Sequence, residues 1–472
     1  MMYRVRLEFP AENYLNDVQD VPRAFAPYLE IDETSPDFLS WDFCYEDGFF
    51  KIRIFSNCLG NFEDKFSIEM GDSLQYKRLT KRFLKIRLYE FLSQKLGVEL
   101  PYGSLTGVRP TKLYYELKEK SIEPEAYLAE EFRVTENRIK LIRDCVNSQD
   151  GIINTAPDAI ALFINIPFCP TRCNYCSFIS TELFRVKKEI PRYVENVIRE
   201  IDEFKSFIAK SGKRITSIYV GGGTPTCIGA ENLDRILNNI STFGVEFTVE
   251  AGRPDTITAE ILDVLKKNNV TRISINPQSF NQSTLERIGR MHTTEQVYES
   301  FRTAREKSFV INMDLIAMLQ DETLDDFRNS VDRAIELRPH NITVHTLSLK
   351  RGSVLTQEGE KKGEFGLAKA MTDYAHAELY KAGYKPYYMY RQKNTADNLE
   401  NISFTLDGYQ CRYNIDMMEE ASSIYGIGAG AMSKIVDFVG NRIERLANPK
   451  GFREYMERLP EIAEKKRSFF GE

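Results

Sequence analysis

The chain has 472 residues, 42% of them hydrophobic and 28% charged, enough to bury a core of two or three domains and remain in solution. A net charge of −6 gives bulk electrostatics no reason to favour nucleic acid as a partner. No stretch approaches the roughly 20 apolar residues of a membrane helix, and the opening MMYRVRLEFPAENY lacks the apolar run of a signal peptide, so a cytoplasmic protein with no membrane partner is expected.

Residues 1–150 read as an accessory α+β domain. Residues 3–9 and 50–55 alternate like strands, and a long helical pattern covers 74–96. Lys77, Arg78, Lys81, Arg82 and Lys85 give that helix a basic face. The face suits a solvated surface or, on a sharper view, a dock for an acidic partner or RNA. Shorter helical patterns span 111–144, TGVRPTK at 106–112 reads as a turn held by Pro110, and 149–158, with Gly151 and Pro157, looks like a linker.

Residues 151–350 alternate strand and helix. Candidate strands are 159–165, 215–220, 245–250, 272–276, 310–316 and 342–347, with helices between them such as 193–209, 260–267 and 324–337. Thr258 and Thr323 stand where N-caps belong. Repeated βα units imply a parallel sheet with helices outside, and six units are fewer than the eight of a closed barrel. The expected fold is therefore α/β, a partial open (β/α)6 barrel. Residues 351–472 read as a smaller C-terminal domain covering the barrel mouth. It carries a helix at 367–382, a Tyr-rich strand at 387–390, GIGAGAMSK at 426–434 and a helix at 450–458. GIGAGA matches a fragment of a dinucleotide fingerprint but lacks its βαβ unit and acidic residue.

The eight cysteines should stay unpaired in a reducing cytoplasm. Cys44, Cys58, Cys145, Cys227 and Cys411 are scattered and read as small buried hydrophobes. Cys169, Cys173 and Cys176 instead cluster in IPFCPTRCNYCSF, after the first barrel strand. Their C-x3-C-x2-C spacing supplies three thiolates to a four-iron cluster and leaves one iron open to a small molecule. Zinc, the rival reading, commonly wants a fourth Cys or His that the loop lacks. Phe178 suits either a shield for the cluster or a core aromatic.

This spacing at the end of a first strand resembles the radical S-adenosylmethionine (SAM) superfamily. YVGGGTPT at 219–226 resembles the oxygen-independent coproporphyrinogen III oxidase group within it, as do TVEAGRPD, NPQSFNQSTLERIGRMHT and NMDLIAML. RQKNTADNLENISF and YNIDMMEEASSIYGIGAGAMSK are similar to the HemZ-type branch. The resemblance spans about residues 159–440 and implies a [4Fe-4S] cluster on Cys169, Cys173 and Cys176 with SAM on the open iron. It further implies SAM contacts at Phe163, Gly222, Gly223, Thr224, Glu250, Gln278, Arg290, Asp314, Ser348 and Met432, and no catalytic side chain beyond the cluster and SAM. In the group, one electron from a flavodoxin- or ferredoxin-type donor cleaves SAM to a 5′-deoxyadenosyl radical. The radical removes a β-hydrogen from a propionate, and carbon dioxide and an electron leave. Two such rounds convert coproporphyrinogen III to protoporphyrinogen IX in heme biosynthesis.

Two departures bear on the substrate. Phe163 stands where the well-studied oxidase has Tyr, and Ser177–Phe178 replace a further cysteine. The heme-chaperone branch shares this shorter pattern, yet its His-Asn-x-x-Tyr-Trp motif is DNLENIS here. A heme-trafficking protein and another radical SAM reaction on a tetrapyrrole stay open as alternatives. Lys350, Arg351, Arg391 and Lys393 are candidate anchors for substrate carboxylates, and His292 and His345 candidate polar contacts.

Overall fold

The computed structural model describes residues 2–8, 18–26, 28–46, 49–67, 73–107, 109–153, 155–178, 180–348, 366–392, 395–438, 440 and 442–471. Two compact units emerge. One comprises Met1–Arg143 with Lys362–Lys369 and Arg391–Glu400; the other comprises Asp144–Lys361, Ala370–Tyr390 and Asn401–Glu472.

The first unit is built on a five-stranded sheet of β1 (Tyr3–Glu8), β2 (Leu29–Ile31), β3 (Phe38–Glu46), β4 (Phe49–Ser56) and β5 (Phe62–Phe66), in the order β2-β1-β3-β4-β5. Alternation sends Phe50, Ile52 and Ile54 to the buried face of β4. Helix Ser73–Leu96 adds Leu84, Leu88, Phe91 and Leu92 to the same core. Two cations of its basic face are engaged locally: Arg82 pairs with Glu131 at 3.5 Å and Lys85 donates to Thr106 at 2.7 Å. The side chains of Lys77 and Arg78 lie outside the described residues. Pro110 occupies the first turn of helix Pro110–Glu119, where its missing N–H costs nothing. Arg391 is buried in this unit, 4.1 Å above the Tyr102 ring and bonded to the carbonyls of Leu105 and Asn398. It is a structural residue and not an exposed anchor. Lys350, Arg351 and Lys393 lie outside the described residues.

The second unit carries β6 (Ala159–Ile166), β7 (Phe168–Cys169), β8 (Thr181–Glu182), β9 (Arg214–Gly222), β10 (Glu246–Val249), β11 (Arg272–Ser274), β12 (Val310–Ala317) and β13 (Asn341–Thr346). After them come β14 (Lys385–Arg391) and β15 (Glu400–Thr405), whose end residues Arg391 and Glu400 count with the first unit, then β16 (Ser423–Ile427), β17 (Met432–Asp437) and β18 (Arg442–Ala447). Strands β6 and β9 to β13 lie side by side and parallel, with helices Ile190–Ser211, Ala230–Asn238, Ala259–Lys267, Thr294–Glu306 and Leu324–Leu337 along the connections. The sheet does not close: β13 is flanked by antiparallel β15 and β6 by parallel β16. This is the open (β/α)6 barrel. The segments after residue 400 extend its sheet on both flanks.

The barrel strands are buried on both faces, so they read as nearly continuous apolar runs such as AIALFINI in β6. Thr258 and Thr323 cap their helices, the latter in a reciprocal box with Asp326. Tyr387, Tyr388, Cys411, Tyr413, Ile415 and Ile424 form one apolar cluster with Ala161, against which Phe163 and Tyr219 pack. No described helix is long and apolar enough to cross a membrane.

Candidate active site

The cysteine loop springs from β6. Cys169 ends β7, which is pinned beside β8 by the register Cys169↔Glu182. Further along, Asn174 bonds through its backbone N–H to the Ile288 carbonyl at 3.1 Å and through its side chain to the Arg287 carbonyl at 2.8 Å. Thr171 donates to the Gly289 carbonyl at 3.3 Å. The loop is thus moored to the segment after β11. Burial raises the Cys169 thiol, partly offset by the hydroxyls of Thr224 and Ser180. Burial also pushes the Cys176 thiol up to about 11, against the backbone N–H of Phe178, with Cys173 and Cys169 adding to the rise. Cys169 and Cys176 thus keep their protons until a metal displaces them. Phe178 is 69% exposed, so it is not a core aromatic.

The glycine run continues β9 past this loop. Gly223 N–H donates to the Ile166 carbonyl at 2.9 Å and Thr224 N–H to the Phe168 carbonyl at 2.7 Å. A Cβ at Gly223 would stand 2.4 Å from the Phe168 carbonyl oxygen, and Gly222, at φ +110°, would place one 1.8 Å from Asn165 Oδ1. These glycines are required first by the close approach of the two backbones. Thr224 Oγ1 lies 3.6 Å from Cys169 Sγ. Gly221, which the sequence did not single out, leaves room for the Glu250 carboxyl, which a Cβ there would meet at 3.0 Å.

Glu250 follows β10 and accepts a hydrogen bond from Tyr219. Burial raises its carboxyl to about 7; Tyr219 opposes the rise and the Asp314 charge adds to it. Asp314, on β12, is held below the usual carboxylate range: burial would raise it, but His345 and Asn312 prevail. His345 Nε2 stands 3.6 Å from Asp314 Oδ2, and Asn312 donates to the other oxygen at 2.7 Å. His345 is raised for the same reason, its burial outweighed by Asp314. The interior thus holds one acid poised near neutrality beside another kept ionised.

Gln278, at φ +69°, bridges to β12 through its backbone, with N–H to the Asp314 carbonyl at 2.9 Å and its carbonyl receiving Ile316 N–H at 3.0 Å. Its buried Oε1 has no partner among the described residues. Arg290 is buried; its terminal nitrogens donate to the Asn276 and Gly252 carbonyls, and its Nε has no partner among the described residues. Most of the donor fork expected for a ligand carboxylate therefore ties together the loops after β10 and β11.

Phe163 stacks on Tyr413, centroids 6.1 Å apart, within the aromatic cluster. Ser348 follows β13 by two residues, and Met432 opens β17 with 42% exposure. The glycines before Met432 form a turn locked to the end of β6. Tyr193 OH donates to the Asn165 carbonyl at 2.7 Å and receives Ala429 N–H at 3.0 Å. Glu200 receives Gly428 N–H at 2.8 Å and Tyr455 OH at 2.7 Å, and pairs with buried Lys466. This packing accounts for GIGAGA without a dinucleotide. His292 is buried and lowered to about 3, by burial first and then by Arg290. Tyr219 and Arg253 also belong to the site, and their importance comes from contacts distant in sequence.

Among the described residues no three Cys, His, Asp or Glu gather closely enough to grip a single ion. A cuboidal cluster spreads its iron corners and wants its thiolates wider apart. Three neighbouring thiols in one loop and, among the described residues, the unpartnered atoms of Gln278 and Arg290 fit a cluster with a polar ligand beside it.

The family model "Radical SAM superfamily" matches residues 164–334. Barrel and thiols together define a radical SAM protein, a class that uses a [4Fe-4S] cluster and SAM. The Bacillus subtilis (strain 168) oxygen-independent coproporphyrinogen-III oxidase-like protein HemZ is 37% identical over 417 residues, covering 85% of this chain and 83% of its own. The chain belongs to the radical SAM superfamily, in the family that includes the HemZ and HemW proteins. The Lactococcus lactis heme chaperone HemW is 32% identical over 276 residues, 57% of this chain and 68% of that one. The solved structure of Escherichia coli coproporphyrinogen III oxidase (HemN), described as a radical SAM enzyme, shares the fold. It matches with a TM-score of 0.52 at 19% identity, covering 67% of this chain and 73% of that chain.

Proposed function

We propose that the protein is an oxygen-independent coproporphyrinogen III oxidase of the dehydrogenase type, acting in the cytoplasm on a tetrapyrrole in heme biosynthesis. The carrying observation is the 37% identity to the HemZ protein over 85% of this chain, a stretch longer than the barrel unit alone. Cys169, Cys173 and Cys176 hold the cluster. Thr224 braces Cys169, while Gly222 and Gly223 bring the backbone to the rim of the site. Glu250 and Asp314 offer carboxylate oxygens to an ammonium or to ribose hydroxyls, and Gln278 Oε1 and Arg290 Nε supply the unpaired acceptor and donor. Phe163, Ser348 and Met432 complete the SAM contacts. When bound, the cluster and SAM supply the one-electron chemistry of hydrogen abstraction, driven by a flavodoxin- or ferredoxin-type donor. The chain's own residues orient the substrate propionate and exclude water. That propionate loses a β-hydrogen atom, carbon dioxide and an electron, leaving a vinyl group.

The heme-trafficking reading is favoured by the identity to HemW chaperones. Anaerobic incubation of reconstituted protein with dithionite, SAM and coproporphyrinogen III separates the two, with mass spectrometry of nucleoside and tetrapyrrole. The oxidase yields 5′-deoxyadenosine and vinyl products. Deoxyadenosine without decarboxylation rejects the oxidase, and no deoxyadenosine rejects SAM cleavage altogether.

A further inference from the structure

Arg253 lies in the loop after β10 with its side chain only 3% exposed. Two of its nitrogens grip Asp255 in a fork, Nε to Oδ1 at 2.9 Å and Nη2 to Oδ2 at 2.8 Å. The third, Nη1, points at the cysteine loop, 3.1 Å from Thr171 Oγ1 and 3.9 Å from Cys173 Sγ. Asp255 therefore does more than neutralise the guanidinium. It fixes the plane of the fork so that the positive N–H edge faces a cluster-ligating sulfur. An arginine stays charged throughout, so this field is permanent. The acceptors that Nη1 meets are Thr171 Oγ1 and Cys173 Sγ, and the largely buried pair lies where charge acts with little screening.

We propose that Arg253 is a positioning residue that sets the reduction potential of the iron–sulfur centre, and that Asp255 tempers its effect. The proposal rests on the reading of Cys169, Cys173 and Cys176 as the cluster's ligands. One electron from an external low-potential donor adds one negative charge to the thiolate-bound centre. A cation hydrogen-bonded to a ligating sulfur stabilises that added charge and raises the potential. Reduction becomes easier for the donor, while the centre keeps less driving force for passing the electron on. Asp255 limits the rise by placing a negative charge behind the guanidinium.

The two residues should thus move the potential in opposite directions, which loosening of a structural contact would not do. The test uses full-length protein, reconstituted anaerobically without SAM, and matched for iron and sulfide content. It is titrated with dithionite while the reduced cluster is followed by electron paramagnetic resonance. Arg253→Met should lower the midpoint potential relative to wild type, and Asp255→Asn should raise it. Shifts of the same sign, or none, overturn the proposal. Should Arg253→Met fail to load a cluster, Asp255→Asn decides alone, and an unchanged or lowered potential there is equally fatal. A wild-type protein that takes up no cluster sinks the ligand reading and this proposal with it, whereas loaded wild type with unshifted variants sinks only the proposal.

Discussion

At the scale of single residues, the interior acids give the site its pH behaviour. Glu250 is raised to about 7, by burial foremost. A carboxyl raised in the folded protein favours its protonated form. Its stabilising effect is present below the ordinary carboxylate range and is lost as pH rises through about 7. Glu322, beside Ser279, is also raised to about 7 by burial, so wild type carries more than one such group. Glu250→Gln should lose stability less steeply between pH 5 and 8, by on the order of 2 kcal/mol, as read by urea unfolding at both pH values. An unchanged slope would mean that Glu250 is ionised throughout. Cys173→Ala should leave the reconstituted protein without the absorption and iron content of wild type; full iron loading would contradict its role as a ligand. The cysteines and Glu250 could be singled out because they stand in motifs at or just past a strand end, and Asp314 because its motif runs along β12. Arg253 and Tyr219 fall within TVEAGRPD and YVGGGTPT, but nothing in those motifs marks either as a contact. Arg253 matters because its Nη1 meets Cys173, and Tyr219 because its hydroxyl meets Glu250.

At the scale of elements, the barrel strands could be read closely because burial on both faces leaves apolar runs bounded by turn residues. Helix Leu324–Leu337 shows its own start in Thr323 and Asp326. Thr323→Ala removes that reciprocal cap and should cost about 1 kcal/mol in thermal or urea unfolding, with cluster loading untouched. Gly223→Ala should behave differently. Its Cβ would meet the Phe168 carbonyl oxygen at 2.4 Å, forcing β9 away from the segment that carries Cys169. Iron uptake should fall along with stability, and a variant that loads iron normally would show that this backbone approach is dispensable. What the sequence could not convey was β16. Its pairing with β6 joins residues far apart in the chain, and SSIYGI carries no signal of its partner. The C-terminal segment therefore reads locally as a separate lid, while the structure uses it to widen the sheet.

At the scale of the whole barrel unit, its last helix is fastened to its first long one. Lys466, on helix Leu459–Phe470, pairs with Glu200 on helix Ile190–Ser211, and both are buried. Breaking one side of such a pair strands a charge in the interior. Lys466→Met alone should cost about 3–5 kcal/mol in chemical denaturation, and the double variant Glu200→Gln/Lys466→Met should recover part of it. Additive losses would show that the two do not act as a pair. The same long-range construction shapes how the protein is made. Strand β6, which leads into the cysteine loop, has β9 on one side and β16 on the other. While the ribosome has yet to deliver residues 423–427, one flank of β6 is a bare edge, open to pairing with other chains. Metal delivery is therefore best timed after translation ends, and a nascent chain arrested before residue 423 should aggregate more readily and retain less iron than the finished protein.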